Sequence, residues 1–281
     1  ARDNQRATAP SLLEDVVDRC PDGPTVTVSE LPNEEEDDDR AGLPAGDVEL
    51  AEACDVLANW DGTYDLDQAG PPLWREFLNR YDSADFTDAG PLWAVPFDPA
   101  EPLATPGGLS TGAANEFTPN DPVLENLARG VQALEVAGIE VDATLGETQF
   151  ALRDGQRIPI HGGGGRDGTT NIVGWGTPGS ILDPAFDEVE RERLVVDSGL
   201  SEIDGQTGYP INNGTSFLMA LGYTADGPEA KIIHTYGDPE DRSAEAYTAS
   251  TEAFPEKAWR TAAFTEEQVA ADTQSTVTVR G

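Results

Sequence analysis

The stretch TYGDPEDRSAEAYTASTEAFPEKAWRTAAFTEEQVAAD, residues 235–272, decides the fold of this 281-residue chain. It opens on Tyr236-Gly237, continues through the acidic, serine-containing loop 238–243, and then predicts a helix over 244–254. Two aromatic motifs close it: Lys257-Ala258-Trp259 and Phe264-Thr265-Glu266-Glu267-Gln268-Val269. The order of these pieces is more specific than any one of them, so the rest of the chain is best interpreted from this end.

Further blocks upstream continue the same order over nearly the whole chain. They are Ala53–Gly62, Tyr64–Asp67, Leu73–Phe77, Pro96–Pro99, Thr105–Leu109, Arg157–Gly163 and Asn213–Leu218. Together with the tail they resemble the penicillin acylase family, and within it the aculeacin A acylase and acyl-homoserine-lactone acylase type, over the C-terminal part of the β subunit. The resemblance implies an N-terminal-nucleophile hydrolase with an α/β/β/α sandwich.

The catalytic residues that the resemblance implies have no counterpart among the residues of this chain. Members hydrolyse acyl amides of penicillins, acyl-homoserine lactones or lipopeptides through an N-terminal Ser whose own α-amino group acts as the base. Ala1 has no hydroxyl, and the surroundings of Asn4 and Arg6 do not match the family's oxyanion motif. We therefore expect no catalytic residue here and no activity of the chain alone. The nucleophile is expected upstream in the same precursor or on a companion chain, and substrate-binding residues are left unassigned.

The charge composition limits the classes of partner and the kind of environment that we expect for this chain. The chain carries 53 acidic and 17 basic residues, a formal net charge of −36. Self-repulsion at this charge strains a fold in dilute buffer, whereas salt at 1 M shortens the Debye length to about 3 Å. The even spread of acids, apart from the run Glu34–Asp39, predicts a halophile's protein over an acidic surface built for a basic partner. Nucleic acid is not expected as a partner, and a small-molecule amide is.

Apolar runs such as Phe217–Leu221 are far shorter than the about 20 residues of a membrane helix, so no membrane span is expected. The sequence shows no signal-peptide pattern and begins at Ala1, which predicts a processed product or a piece of a longer chain. We expect a location outside the cell or on the cell-envelope side.

Hydrophobic periodicity predicts an α+β class, with helices dominating residues 1–149 and strands residues 150–281. Residues 21–46, rich in Pro, Gly and acids, predict a mobile surface loop. Helices are predicted over 11–19, 48–59, 71–81 and 120–138. Hairpins are predicted at Asp154-Gly155 and Ala225-Asp226-Gly227, and strands over 170–176 and 275–280. If the strands complete a sandwich, six apolar side chains should lie at an interface: Val173, Trp175, Phe217, Leu218, Ile232 and Ile233.

Cys20 and Cys54 are the two cysteines of the chain. In a protein outside the cytosol such a pair can form a disulfide closing the acidic loop, and cysteines occur in similar surroundings in the acylases that the chain resembles. Two buried thiols are the alternative, because spacing alone does not give the geometry that a bridge needs.

Other candidate sites have simpler structural explanations. His161 followed by Gly162–Gly165 suggests a phosphate loop, but Thr169 stands where a P-loop requires lysine. With His161 and His234 as the two histidines, we expect no metal site and no cofactor. Asp37–Asp39 is interpreted as a solvated charge run. A non-catalytic acidic binding or scaffold protein derived from the family stays as the alternative function.

Overall fold

The computed structural model describes residues 10–21, 23–33, 39–86, 92–102, 104–110, 121–153, 155–169, 171–175, 191–225, 227–236 and 246–279. Two compact units divide after Gly214: residues 1–214 and residues 215–281. Both helices and strands build the chain, so the predicted α+β class is confirmed. The boundary at 149/150 stays a prediction, and the first strand of the five-stranded sheet begins at Gln149.

The elements of unit 1 have the following bounds. Its helices are α1 (Pro10–Val17), α2 (Ala51–Asn59), α3 (Gly70–Asn79), α4 (Pro122–Val136) and α5 (Leu145–Thr148). Its strands are β1 (Thr25–Val28), β2 (Gly46–Glu49), β3 (Trp93–Val95), β4 (Gly107–Leu109), β5 (Gln149–Arg153), β6 (Gln156–Pro159), β7 (Val173–Gly174), β8 (Arg191–Arg193), β9 (Ser201–Ile203), β10 (Gln206–Ile211) and β11 (Asn213–Gly214).

Helix α3 packs against α4 at the centre of unit 1. Two prolines open α3 at its first turn, where their missing N–H groups cost nothing, and Asp121 caps α4 by accepting from the Val123 N–H at 2.9 Å. The helices approach closely at Gly130, because a Cβ there would lie 3.0 Å from the Phe77 nitrogen. An aromatic row of Trp60, Trp74, Phe77 and Tyr81 fills the interior with successive ring-centroid distances of 5.8, 5.1 and 5.4 Å.

A five-stranded sheet in the order β6-β5-β10-β9-β8 lies in the same unit. β5 and β10 run parallel, with Tyr209 opposite Gln149, and the other pairs are antiparallel. Every residue of β5 is buried, including the polar Gln149 and the charged Arg153 at its two ends. Gly208 sits at φ +145° and a Cβ there would lie 2.1 Å from the Thr148 carbonyl oxygen, so this crossing requires glycine.

The prediction of a mobile surface loop over residues 21–46 is wrong in part, because residues 25–28 form a strand. Residues 25–28 read Thr-Val-Thr-Val and form β1, which pairs antiparallel with β2 and buries Val26 and Val28. Alternation of polar and apolar residues is the signal for a half-buried strand. Because β2 takes Val48 and Glu49, helix α2 begins at Ala51, three residues later than predicted.

Cys20 and Cys54 are joined by a disulfide, with their Cα atoms 5.8 Å apart. The bond ties the turn after α1 to the middle of α2, and the chain between them contains β1 and β2. It therefore closes a loop of 34 residues in sequence around the acidic segment.

Unit 2 is built on the long hairpin of β12 (Phe217–Thr224) and β13 (Gly227–His234), with β14 (Arg260–Thr261) beside β13. Helices α6 (Ala246–Ala253) and α7 (Glu266–Asp272) follow, and Thr265 caps α7 through the Gln268 N–H at 3.2 Å. The predicted final strand over 275–280 is wrong: residues 275–279 pair with nothing in the described chain, and Val277 and Val279 are exposed.

The six apolar side chains predicted at an interface behave differently from one another. Phe217 is exposed, in agreement with the prediction, whereas Val173 and Ile233 are buried and contradict it. Trp175, Leu218 and Ile232 are half-buried. Among the residues that the structure describes, none of the helices has the length and apolarity to cross a membrane.

Candidate functional site: a buried charge network beside an arginine-lined cavity

Arg75 and Glu76 are neighbours on α3, a helix whose residues from Gly70 to Leu78 are all buried. Consecutive helical residues point about 100° apart, so the two charges reach different sides of the interior. A buried charge is tolerated only when it is paired and hydrogen-bonded. Arg75 and Glu76 should therefore each have their own set of partners, and the structure shows one set of partners for each side chain.

The Arg75 guanidinium lies between two aromatic rings. Its Cζ is 4.2 Å from the ring centre of Trp175 and 4.4 Å from that of Tyr209, the arrangement of a double cation–π contact. Its Nη2 donates to Gln149 Oε1 at 2.8 Å and faces Asp167 Oδ2 at 3.4 Å. Gln149 donates in turn to the Ile160 and Gly162 carbonyls, at 2.7 and 2.9 Å. Arg75 thus joins α3 to β5, to β10 and to the glycine loop, residues Gly162–Gly165 after β6.

The Glu76 carboxylate accepts from two other segments of the chain and also lies beside the arginine at the end of its own helix. Its Oε1 accepts from the Tyr209 hydroxyl at 2.7 Å and from the Ser198 hydroxyl at 2.9 Å. Its Oε2 lies 3.3 Å from Arg80 Nη2, one turn further along the chain. With two arginines, Glu76 and Asp167, the network is formally neutral, which is what makes its full burial possible.

Burial sets the protonation behaviour of this network. It raises the pKa of Asp167 above its usual value, and the nearby Arg75 charge opposes the rise without cancelling it. Burial, and then the Glu76 charge, raise the pKa of Tyr209 well above its usual value, so its hydroxyl stays a donor. The Ser198 hydroxyl is committed to Glu76 and to the Leu200 N–H. The network therefore fixes five segments relative to one another and presents no activated nucleophile.

The glycine loop after β6 has a structural role, as expected from its sequence. The Gly163 N–H donates to the Asn171 carbonyl at 3.2 Å and to Thr169 Oγ1 at 3.1 Å, and the Gly164 N–H donates to Asp167 Oδ2 at 2.5 Å. These N–H groups are the ones a phosphate would need, and they are already used. His161 is buried at the start of the loop.

An open cavity of about 610 Å³ lies beside the network. Its described walls come from the ends of α3 and β8, from α4, from the turn after the glycine loop and from the segment after β1. The lining residues are Leu31, Arg40, Asn79, Arg80, Tyr81, Asp82, Asn126, Arg129, Arg166, Trp175, Arg193, Asp197, Ser198 and Gly199. Trp175, Arg80 and Ser198 belong to both the cavity wall and the network, and the Trp175 ring covers Arg75.

Several predicted site residues fall elsewhere. Asn4, Arg6 and residues 34–38 of the acidic run lie outside the described residues. His234 is on the hairpin, with its ring 5.1 Å from that of Phe217. Within the described ranges no group of three His, Cys, Asp or Glu side chains is placed to hold a metal ion.

Sequence reasoning missed the network itself. A signal was present in Leu73-Trp74-Arg75-Glu76-Phe77, where two opposite charges interrupt the apolar face of a predicted helix. Charged residues are almost never fully buried unless paired, so that pattern already called for partners. The partners Asp167 and Tyr209 are 92 and 133 residues away from Arg75 and Glu76 respectively, and no local pattern connects them.

Comparison with known proteins bears on this architecture as a whole. The sequence profile of the family described as penicillin amidase matches residues 1–271. Aculeacin-A acylase of Actinoplanes utahensis is 28% identical over 274 residues, 96% of this chain and 27% of that protein.

Two acyl-homoserine lactone acylases named PvdQ are also similar. That of Pseudomonas syringae pv. syringae is 26% identical over 224 residues, covering 79% of this chain and 24% of the relative. That of Pseudomonas fluorescens Pf0-1 is 27% identical over 233 residues, covering 82% and 26%. The chain thus spans about a quarter of the length of the curated relatives that it matches.

Proposed function

Because the chain belongs to the penicillin amidase family, we propose that it is the C-terminal portion of an amidohydrolase that hydrolyses an acyl amide. The substrate class is that of the relatives and of the family: acyl-homoserine lactones, lipopeptides of the aculeacin kind or penicillins. The nucleophilic serine lies outside residues 1–281, upstream in the same precursor or on a companion chain. Residues 1–281 alone are inactive.

The observation that carries the proposal is the family match over residues 1–271 combined with the share of the relatives that the chain covers. The described charge network supports placing the catalytic nucleophile outside residues 1–281. Its carboxylates and arginines neutralise one another, and its serine is held by Glu76 rather than by a free base. Such a network supports a fold and leaves the chemistry to other residues.

The hairpin of unit 2 supports the presence of a companion polypeptide. Phe217, Met219, Leu221 and Tyr223 alternate along β12 and therefore share one face. Opposite them in register stand His234, Ile232, Ala230 and Pro228 on β13. All four β12 side chains are exposed, with Met219 at 55% and Tyr223 at 83%. A contiguous exposed apolar face of this kind marks an interaction site.

The remaining part of the acylase polypeptide is the occupant that we assign to this face, because about three quarters of the relatives' length lies outside the chain. In the proposed arrangement the chain contributes strands and helices to an α/β/β/α sandwich. The five-stranded sheet, with both helices and strands in one unit, supports such a layer.

The proposed setting is a salt-rich environment outside the cell or at its envelope. Two features support it: the formal charge of −36 and the Cys20–Cys54 disulfide, a bond typical of oxidising compartments. At molar salt the charges that repel one another across the surface are screened within about 3 Å.

The test is reconstitution in molar KCl. The chain is purified alone and after co-expression with the polypeptide encoded upstream of Ala1, and both samples are assayed with penicillin G and long-chain acyl-homoserine lactones. We expect turnover only from the co-expressed complex, and none when the N-terminal serine of the companion is replaced by alanine. Robust turnover by residues 1–281 alone, lost on substitution of one of its own side chains, would overturn the proposal.

The alternative is a non-catalytic acidic binding or scaffold protein derived from the family. It predicts a stable complex with no turnover on any of these amides, even with the companion serine intact. The same two samples therefore separate the two functions.

A further inference from the structure

The last described segment of the chain, residues 263–279, is exposed along its whole length. We call it the C-terminal arm, and it contains α7 and the extended residues that follow α7. Within the described ranges, its hydrogen bonds join residues of the arm only to one another. The arm leaves the sheet of unit 2 just after β14, where the Ala262 N–H donates to the Ala230 carbonyl oxygen at 2.9 Å. Its beginning is therefore fixed to the sheet, and the rest of it is uncovered.

Helix α7 has strong local signals, but none of its residues is buried in the described chain. Thr265 and Gln268 form a capping box, in which the Gln268 N–H donates to Thr265 Oγ1 at 3.2 Å and the Thr265 N–H donates to Gln268 Oε1 at 3.0 Å. Phe264 and Val269 occupy the two positions of a hydrophobic staple, yet they are 64% and 50% exposed. A helix of seven residues is marginal in water by itself. These two side chains therefore need a surface that covers them.

The extended end of the arm has the same four residues as a strand of unit 1. Residues Thr276–Val279 read Thr-Val-Thr-Val, as do residues Thr25–Val28 of β1. The two valines of β1 are 4% and 2% exposed, because β1 pairs with β2 and belongs to the core of unit 1. Val277 and Val279 are 83% and 88% exposed. Since alternating β-branched residues favour a half-buried strand, the arm has the sequence of a strand whose neighbour is not in the described chain.

Charge and chain length favour the remaining acylase polypeptide as the neighbour of this strand. The arm carries the acids Glu266, Glu267 and Asp272 and no basic residue, in a chain of formal charge −36, so two copies of it repel one another. The sheet of unit 2 ends at β12, and the arm does not pair with that edge in the described chain. About three quarters of the length of the relatives lies outside this chain.

We propose that the C-terminal arm docks onto the remaining part of the acylase polypeptide, where residues 275–279 add a strand to the edge of a sheet. The proposal rests on the companion polypeptide of the proposed function, and it gives that polypeptide a second contact besides the hairpin face. Main-chain hydrogen bonds along the added strand supply affinity, and the alternate side chains Val277 and Val279 supply specificity. The surface beside that edge covers Phe264 and Val269.

Hydrogen exchange followed by mass spectrometry locates the added strand. The isolated chain and its co-expressed complex with the upstream polypeptide are compared in molar KCl. Alternate amides of residues 275–279 should exchange about a hundredfold more slowly in the complex than in the isolated chain, because every second N–H of an added strand bonds to its neighbour. The amides of β12 that bond to β13 are the internal control, since both samples protect them.

Variants of the two valines test whether the added strand stabilises the complex. The double variant Val277→Ser/Val279→Ser should make the complex dissociate about tenfold faster or more, because two apolar side chains lose their contacts. Val95→Ser is the matched control, since Val95 is an exposed valine on β3 in unit 1. Size-exclusion chromatography after dilution follows the dissociation. Both variants should leave the melting temperature of the isolated chain unchanged, because all three valines are exposed there.

Three results would overturn the assignment. They are free exchange of the arm in a complex that shows turnover, a double variant that dissociates at the rate of Val95→Ser, and protection of residues 275–279 in the isolated chain. Protection that grows with protein concentration would identify a second copy as the neighbour, and protection at every concentration would identify the edge of β12.

The same samples distinguish this proposal from the proposed function. A complex with a protected arm and no turnover would contradict the amidohydrolase function and leave the docking of the arm intact. A complex with turnover and an exchanging arm would contradict the docking alone. Failure of the wild-type chain to form any complex would contradict both.

Discussion

Helix α3 buries large apolar side chains, whereas the β12–β13 hairpin exposes side chains of the same kind. Phe77 on α3 is 0% exposed and lies between Trp74 and Tyr81, whereas Phe217 on β12 is 46% exposed. α3 has its partners within unit 1, down to the charges of Arg75 and Glu76. The hairpin has a complete backbone ladder, from Phe217 opposite His234 to Thr224 opposite Gly227, but one uncovered apolar face. Hydrogen bonding sets a strand's register, and burial requires a surface to pack against.

The largest difference in stability is expected between two phenylalanine-to-alanine variants, one on α3 and one on the hairpin. Phe77→Ala leaves a cavity in the α3–α4 interior and should lower the free energy of unfolding by about 3–5 kcal/mol. Phe217→Ala removes a ring that is already half in water and should change it by less than about 1 kcal/mol. Denaturant titration in molar KCl, followed by tryptophan fluorescence, measures both. Similar losses for the two variants would show that the hairpin face is covered in the isolated chain.

The second largest difference in stability is expected between breaking a buried ion pair in unit 1 and breaking an exposed ion pair on the hairpin. Arg75→Met leaves Asp167 buried without its cation and removes both ring contacts, which should cost about 3 kcal/mol. On the hairpin, Lys231 lies 3.7 Å from Glu229 with both side chains about half exposed. Lys231→Met should cost less than about 1 kcal/mol, because water and salt screen the pair. The same titration reports both, and a small loss for Arg75→Met would contradict the role assigned to the network.

The pH dependence of stability is a smaller test of the same network. Burial raises the pKa of Asp167 above 3.8, so the folded protein keeps this proton to a higher pH than the unfolded chain does. The contribution of the protonated Asp167 to the free energy of unfolding is fully present below about pH 4. It is lost as the pH rises through the pKa of Asp167 in the folded protein. Asp167→Asn has no proton to lose. The stability of the variant relative to wild type should therefore improve as pH rises, and a relative decline would show that Arg75 dominates.

Local signals predicted much of the fold, and long-range pairing accounts for what they missed. The hairpin at Gly227 and the helix capped by Asp121 follow from residues within a few positions of one another. β1 could have been found from the alternation in 25–28, but its partner β2 lies beyond the acidic run. Residues 275–279 show the converse, because alternation without a partner strand gives no strand.

The candidate site was harder to predict than the fold for the same physical reason. Arg75 and Asp167 meet across 92 residues of sequence, and the arginines of the cavity come together from five separate segments. The opposite charges of Arg75 and Glu76 inside an apolar helix pattern are a sequence feature that could have indicated the buried network.

The central claim is that the apolar face of the hairpin is an interface, and Met219 reports on it directly. Met219 is the single methionine of the chain and is 55% exposed on that face. Its rate of oxidation by hydrogen peroxide, followed by mass spectrometry, should be fast in the isolated chain and strongly reduced in the complex with the upstream polypeptide. Slow oxidation in the isolated chain, or equal rates in the isolated chain and an active complex, would contradict the account.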